Sequence, residues 1–240
     1  EDFMLAANET VAEEYFWREI PFLYRTHEAP EEDKVKKLST FINNFGYHIH
    51  MGNEIRPKEI QKLLEKVEGT PQEALISRLA LRSMKQARYT PENAGLAAQY
   101  YTHFTSPIRR YPDLQIHRII KENLRGRLSD DRMAHYEKIL PEVATQSSEM
   151  ERRAEEAERE TVKLKKVEYM QERIGEEFEG VISGITKWGA YVELPNTIEG
   201  LVHVVNMKDD HYEYREEQYE LVGEHFRNVY KLGQRVRVRV

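Results

Sequence analysis

The chain has 240 residues, 40% of them hydrophobic and 32% charged, which is enough for one large domain or two smaller ones with a core. It contains no cysteine, which excludes disulfides and thiolate metal sites and leaves Asp, Glu or His as ligands, a donor set that favours Mg²⁺ or Mn²⁺. The formal net charge of −6 counts against nucleic acid as a partner only in bulk, since basic residues can line one channel while acids face elsewhere; no run of about 18 apolar residues and no signal-peptide pattern occurs, so a cytoplasmic protein is the default expectation.

Phe3, Met4, Ala7, Val11, Tyr15 and Ile20 recur at roughly helical spacing and predict a helix over 1–20, broken at Pro21. Glu31, Glu32 and Asp33 place acids on the first turn of a second helix that runs to Asn44. Residues 45–52, FGYHIHMG, read as a turn and a brief extended piece; His48 and His50 alternate there, too weak a signal for a metal site. Pro57 and Pro71 open helices over 57–67 and 71–87. Residues 101–114 read YTHFTSPIRRYPDL, and a helix follows from Pro112 carrying Leu114, Ile116, Ile119, Ile120 and Leu124. A long charged helix is expected over 142–173, with Met150, Ala154, Ala157, Thr161 and Leu164 as its buried stripe and the charge-dense run 149–168 otherwise solvated.

Near Gly175 the pattern changes to short β-rich runs separated by glycines and Pro195, ending in VRVRV with Arg235, Arg237 and Arg239 on one face. The expected fold is therefore α+β: a mainly helical domain over 1–174 followed by a small β-barrel over 175–240. The chain opens at Glu1 without a methionine and stops inside an apparent strand, so it reads as a fragment of a larger protein.

Two stretches carry chemistry. In YTHFTSPIRRYPDL a residue before proline is pushed out of the helical region, so Ser106 and Tyr111 make the segment extended and stiff. Arginine's planar fork grips phosphate bidentately and stays charged, which suits holding a phosphodiester and stabilising charge as it breaks. The same pair could instead bridge acids of neighbouring helices, and local physics fits both readings. In the β-region, Trp188 and Tyr191 flank Gly189-Ala190; they are either stacking platforms for unpaired bases, with His203 joining them, or fillers of the barrel core.

YTHFTSPIRRYPDL closely resembles the signature of the ribonuclease II and ribonuclease R family, processive hydrolytic 3′-to-5′ exoribonucleases. EDFMLAANETVA, PFLYRTHEAPEEDKV, LRSMKQARY and AERE at 157–160 resemble further family segments in the family's order. The wording is more like bacterial ribonuclease R than ribonuclease II. Residues 177–240 resemble an S-one type OB-fold domain, whose last strand would follow Val240. The resemblance implies the C-terminal part of an RNB catalytic domain over 1–174 and an RNA-binding barrel over 175–240, acting on single-stranded RNA to release nucleoside 5′-monophosphates, as a monomer by default.

By this resemblance Arg109 is catalytic, Arg110 supports a neighbouring phosphate or the fold, and Ser106 adds a phosphate hydrogen bond. Glu158 falls where the family has a glutamate close to the terminal nucleotide. Its neighbours three and four residues away, Ala154, Glu155, Thr161 and Val162, include no cation. Glu1 matches a glutamate that recognises the terminal nucleotide, and Trp188, Tyr191 and His203 lie on the RNA-binding face. Asn8 reads as a helix-packing polar group; Arg25 and His27 fit the channel or the fold.

The family's cofactor is Mg²⁺, held by aspartates spaced roughly D-x-x-x-x-x-D-x-D-D. Here Asp130-Asp131 and Asp209-Asp210 are isolated pairs, so no metal ligand is assigned within the chain and the cluster is expected before residue 1. Where the family commonly reads G-H-F-G-L-A, the chain reads NAGLAA at 93–98 and is a few residues short around it. Two other readings remain: an RNA-binding protein without the metal site, and a helical scaffold joined to an unrelated barrel.

Overall fold

The computed structural model describes residues 1–28, 30–43, 45–49, 57–70, 73–92, 99–216 and 218–240, the side chains at 57, 58, 74 and 75 excepted. Expectations for His50, Pro71 and the shortened stretch 93–98 lie outside the described residues. The chain is mixed helix and sheet, and its contacts group into two compact units that are not contiguous in sequence: Glu1–Pro30, Asn53–Lys58 and Met84–Glu158 in one, Glu31–Gly52, Glu59–Ser83 and Arg159–Val240 in the other. Among the described residues no helix is long and apolar enough to cross a membrane.

The first unit contains α1 (Asp2–Trp17), β1 (Tyr24–Thr26), β2 (Arg88–Thr90), α5 (Tyr111–Leu124) and the first part of α6 (Asp130–Gln171). The strands form a two-stranded antiparallel ribbon with Tyr24 opposite Thr90. Its core joins Ala12 and Tyr15 of α1, Phe22, Leu23 and Tyr24, Tyr89, Ile116 and Ile119 of α5, and Tyr136, Leu140 and Ala144 of α6. The helix expected over 1–20 ends at Trp17. Glu19 takes a left-handed conformation (φ 52°), its N–H donates to the Phe16 carbonyl, and that of Ile20 reaches back to Tyr15. This is a Schellman closure built on glutamate rather than glycine, with Ile20 packed on the core that holds Tyr15.

Two expectations for the long helix are corrected. It starts at Asp130, twelve residues before 142, and runs through Pro141. Proline inside a helix removes one backbone bond, but Tyr136, Leu140 and Ala144 bury the surrounding turns and hold them helical. The stripe Met150, Ala154, Ala157, Thr161 and Leu164 is exposed, and the buried residues of α6 are Tyr136, Leu140, Ala144 and Ser148. Two alanines and a threonine offer too little apolar area to drive burial of that stripe against its dense charge.

The second unit contains α2 (Glu32–Asn43), α3 (Pro57–Val67), α4 (Glu73–Ser83) and the β-region, and α2 packs against α4. The β-region has β3 (Glu177–Thr186), β4 (Gly189–Glu193), β5 (Glu199–His203), β6 (Tyr212–Arg215), β7 (Glu220–Gly223), β8 (Val229–Lys231) and β9 (Arg235–Arg239). Their antiparallel order is β5-β4-β3-β9 and β6-β7-β8. The first half of β3 pairs with β9 and the second half with β4, across a bulge at Ile182/Gly184, so one strand curls between two partners. The curled sheet is consistent with an OB-fold, around Ile182, Ile185, Ala190, Val192, Leu194, Tyr212 and Leu221. VRVRV behaves as its alternation predicts: Val236 and Val238 pack on the core, and Arg237 and Arg239 pair with Glu177 at 2.5 and 2.6 Å. Gly189 (φ 145°) lies so close to β5 that a β-carbon would overlap the Val202 carbonyl oxygen, which explains the glycine after Trp188.

Candidate functional site

Residues 101–106 run beside β1 without regular structure, held by a series of cross-chain bonds. The Arg25 N–H donates to the Tyr101 carbonyl at 2.9 Å, and the Thr102 hydroxyl donates to the Leu23 carbonyl at 2.7 Å. Asn8 of α1 is 4% exposed; its carboxamide accepts the Phe104 N–H at 3.0 Å and donates to the Tyr101 hydroxyl at 3.2 Å. The Phe104 ring stacks on His117 at 4.4 Å, and the His117 imidazole reaches the Phe104 carbonyl at 2.9 Å. Asn8 is thus a packing polar group as its helical position suggests, with the signature segment as its partner.

The two arginines sit on a turn, which corrects the expectation of a wholly extended segment. Pro107–Arg109 form the turn, with the N–H groups of Arg109 and Arg110 donating to the Ser106 carbonyl at 3.3 and 3.1 Å. Arg110 is extended (φ −120°, ψ 119°) and is the N-cap of α5. Tyr111 is already helical, because Pro112 falls in the first turn, where a missing N–H leaves no bond unmade. The extended residue is therefore one position earlier than the pre-proline rule places it.

The turn separates the arginines. Ile108 is 99% exposed and Arg109 is exposed beside it. Arg110 folds inward, with its Nη2 2.8 Å from Oδ1 of Asp113, a residue that is 0% exposed. The same Oδ1 accepts the Ser106 N–H at 2.8 Å. Arg110 Nε and Asp113 Oδ2 are buried with no hydrogen-bond partner among the described residues.

Behind the turn lies His103, its Nδ1 2.8 Å from the Tyr89 hydroxyl and its ring edge-on to Tyr89 and Tyr101. Burial, reinforced by the Arg110 and Arg25 cations, lowers its pKa to about 4, so it is neutral near pH 7. Burial raises that of Tyr89 to about 12, with Glu151 adding to the effect. The Arg25 guanidinium covers the Tyr89 ring at 4.7 Å and pairs with Glu151 of α6 at 2.6 Å. His27 is exposed. His103 and Asp113 were not singled out in the sequence; the one available signal was an acid at the third helical position after the arginines, which reads as ordinary helix capping.

Glu1 precedes α1 and is exposed; its carbonyl accepts from Met4 and Leu5 and its side chain makes no cap. Glu158 lies on the exposed stretch of α6. In the barrel, Ala190 and Val192 point into the core and Tyr191 between them is half-buried on the other face, while Trp188, in the turn before β4, is 56% exposed. Core filling therefore does not describe Trp188. Gly189 pairs with His203, which brings the Trp188 and His203 rings to 6.3 Å, and Lys187 lies 4.9 Å over the indole. Tyr191 borders a cavity of about 360 Å³ that it shares with Gly184, Arg78, Arg82 and Tyr219.

No group of three or more His, Asp or Glu among the described residues is placed to hold a metal ion. Asp209 and Asp210 have structural partners. Asp209 accepts the Tyr212 hydroxyl at 2.6 Å. At Asp210 burial opposes ionisation, but backbone N–H donors from Phe226 and His225 outweigh it and hold the carboxyl well below its usual range. Among the described residues, these pairs therefore do not form a Mg²⁺ site.

The RNB domain model matches residues 1–126, and the S1 RNA binding domain model matches residues 171–240. Ribonuclease R 1 of Lactococcus lactis is 46% identical over 100% of this chain and 30% of its own length. Ribonuclease R of Aquifex aeolicus is 45% identical over 100% of this chain and 34% of its own. The structure of Mycoplasma genitalium RNase R in complex with ribose methylated single-stranded RNA superposes with a TM-score of 0.89 at 27% identity, covering 99% of this chain and 38% of that one. The chain spans about a third of the length of the curated relatives it matches. It belongs to the RNB domain family.

Proposed function

We propose that residues 1–174 are the C-terminal part of an exoribonuclease catalytic domain, that 175–240 form its RNA-binding barrel, and that the whole protein is a cytoplasmic monomer. It hydrolyses single-stranded RNA processively from the 3′ end and releases nucleoside 5′-monophosphates. The observation that carries this reading is the split of the arginine pair, with Arg110 locked to a buried carboxylate and Arg109 exposed on a turn inside the family signature.

Arg109 donates its fork to the non-bridging oxygens of the scissile phosphodiester and neutralises charge that grows as the bond breaks. Arg110 and Ser106 support the adjacent backbone, Arg110 from its bond to Asp113. Glu158 and Glu1 contact the terminal nucleotide. Trp188, Tyr191 and His203 stack on the incoming strand, and contacts to the 2′-hydroxyl tell RNA from DNA. The hydrolysis uses Mg²⁺, whose aspartate ligands lie N-terminal to Glu1 in the parent protein, so the 240-residue piece is inactive alone.

The test takes the full-length protein, a 3′-tailed RNA and Mg²⁺. Stepwise 3′ shortening that EDTA stops is expected. Arg109→Ala is expected to lower kcat by about 10²–10³-fold, the scale of losing one transition-state donor, while RNA affinity changes far less. Turnover of Arg109→Ala at the wild-type rate overturns the assignment. Robust Mg²⁺-dependent degradation by the 240-residue piece shows the metal site to be misplaced.

A further inference from the structure

The crest of the arginine turn is exposed. Ile108 is 99% exposed and Arg109 is exposed with it, so burial at the crest does little to fix where the Arg109 guanidinium points. The backbone that carries it is held at the base of the turn.

The base is tied by one side chain. An acid at the third helical position usually returns its carboxylate to the N–H of its own N-cap. Here the N-cap is Arg110, and its N–H is already bonded to the Ser106 carbonyl at 3.1 Å. The Asp113 carboxylate instead reaches back to the Ser106 N–H at 2.8 Å and sideways to the Arg110 guanidinium at 2.8 Å. Ser106 is thereby held at both its backbone polar atoms, its carbonyl by Arg109 and Arg110 and its N–H by Asp113. Arg109 sits between two residues that cannot shift without breaking a bond to a fully buried carboxylate. The N-terminus of α5 also favours a negative charge at this position.

The pairing is not one that stability alone would select. Asp113 Oδ2 and Arg110 Nε are buried without hydrogen-bond partners among the described residues, and apolar pairs of similar volume often replace such buried ion pairs without loss of stability. We propose that Asp113 is a positioning residue. Its buried carboxylate clamps Ser106 and Arg110 and so sets the direction from which Arg109 meets the scissile phosphodiester. This rests on the proposed role of Arg109.

The test compares Asp113→Asn, Arg109→Ala and the double variant in the full-length protein. Asparagine keeps the shape and can still accept from Ser106, but loses the charge that draws in Arg110. Asp113→Asn is expected to lower kcat by about 10–100-fold, the scale of misplacing a group by an ångström. Any loss of RNA affinity, through Arg110 and Ser106, should be smaller than the loss in kcat. At saturating RNA the double variant should be no slower than Arg109→Ala alone, because Asp113 bears on the reacting phosphate only through Arg109. Amide hydrogen exchange at Ser106 and Arg110 should accelerate while that of Ile116–Ile120 does not, a readout independent of catalysis.

Wild-type kcat in Asp113→Asn overturns the proposal. So do multiplying effects in the double variant, unchanged exchange at Ser106 and Arg110, or accelerated exchange throughout α5, which would mark a merely structural role. If Arg109→Ala itself turns over normally, the Arg109 reading fails and the positioning role falls with it. If Arg109→Ala is slow and Asp113→Asn is not, only the positioning role fails.

Discussion

In the proposed function the arginine turn and the exposed aromatics of the barrel meet RNA by opposite means. The turn exposes one guanidinium above a base fixed by a buried carboxylate, so the backbone that carries it is held in place. The barrel face offers rings on strand ends, Trp188 56% exposed and 6.3 Å from His203, which fit any base that slides past. A reacting phosphate must be met at one place, whereas a passing strand must be held anywhere. Rigidity is accordingly concentrated beneath Arg109.

The two arginines offer the strongest way to break that comparison. Arg110→Ala leaves the Asp113 carboxylate buried and unpaired and is expected to lower stability by about 3–5 kcal/mol. Arg109→Ala removes an exposed side chain and should leave stability within about 0.5 kcal/mol, although it is expected to lower turnover strongly. Urea denaturation of both variants alongside single-turnover kinetics separates the two effects. Equal losses of stability would mean that the turn does not divide the pair as described.

The next effect is expected in the barrel. Gly189→Ala forces a side chain onto left-handed backbone and into the Val202 carbonyl, with an expected loss of about 2–3 kcal/mol. Thermal denaturation followed by the fluorescence of nearby Trp188 measures it. The strand pairing that sets Trp188 against His203 should loosen in step.

The elements that prolines and periodicity mark were legible in the sequence. Helix α3 occupies Pro57–Val67 as expected, and the alternation of VRVRV gave the faces of β9. What failed depends on contacts distant in the chain. Proline at 141 looks like a helix start until Tyr136 and Leu140 are seen buried on the turns before it. The end of α1 at Trp17 depends on a left-handed glutamate, which no propensity marks. Motif resemblance picked out Arg109 but not the Ser106–Asp113 bond beneath it, since that bond requires the chain to turn between its partners. His103 lay inside the quoted motif, yet its character comes from Tyr89, Arg25 and Arg110, which only the folded chain brings around it.

His103 supplies a smaller, pH-dependent effect on the turn's side of the comparison. Its pKa is lowered from 6.5 unfolded to about 4 folded, so the unfolded chain binds more protons between those values. The contribution of His103 to stability is therefore fully present above about pH 6.5, falls as pH falls, and is gone below about pH 4. Since His103 is only partly buried, the span is about 1–2 kcal/mol rather than the full linkage value. Urea midpoints for wild type and His103→Gln between pH 4 and 7 should converge at the acid end. Parallel curves would show that His103 is not held neutral.

The smallest expected effect tests the forgiving half. Trp188→Ala removes one stacking ring from an exposed position and leaves the inward-facing Ala190 and Val192 in place. Exposed stacking belongs at the low end of the usual range, so affinity for a single-stranded RNA should fall roughly fivefold, about 1 kcal/mol, with kcat at saturating RNA unchanged. His203→Ala should add to it by less than its own separate effect, because the two rings face one another. A change in kcat at saturation would show that the barrel face does more than hold the strand. Full additivity would show that the two rings engage RNA separately.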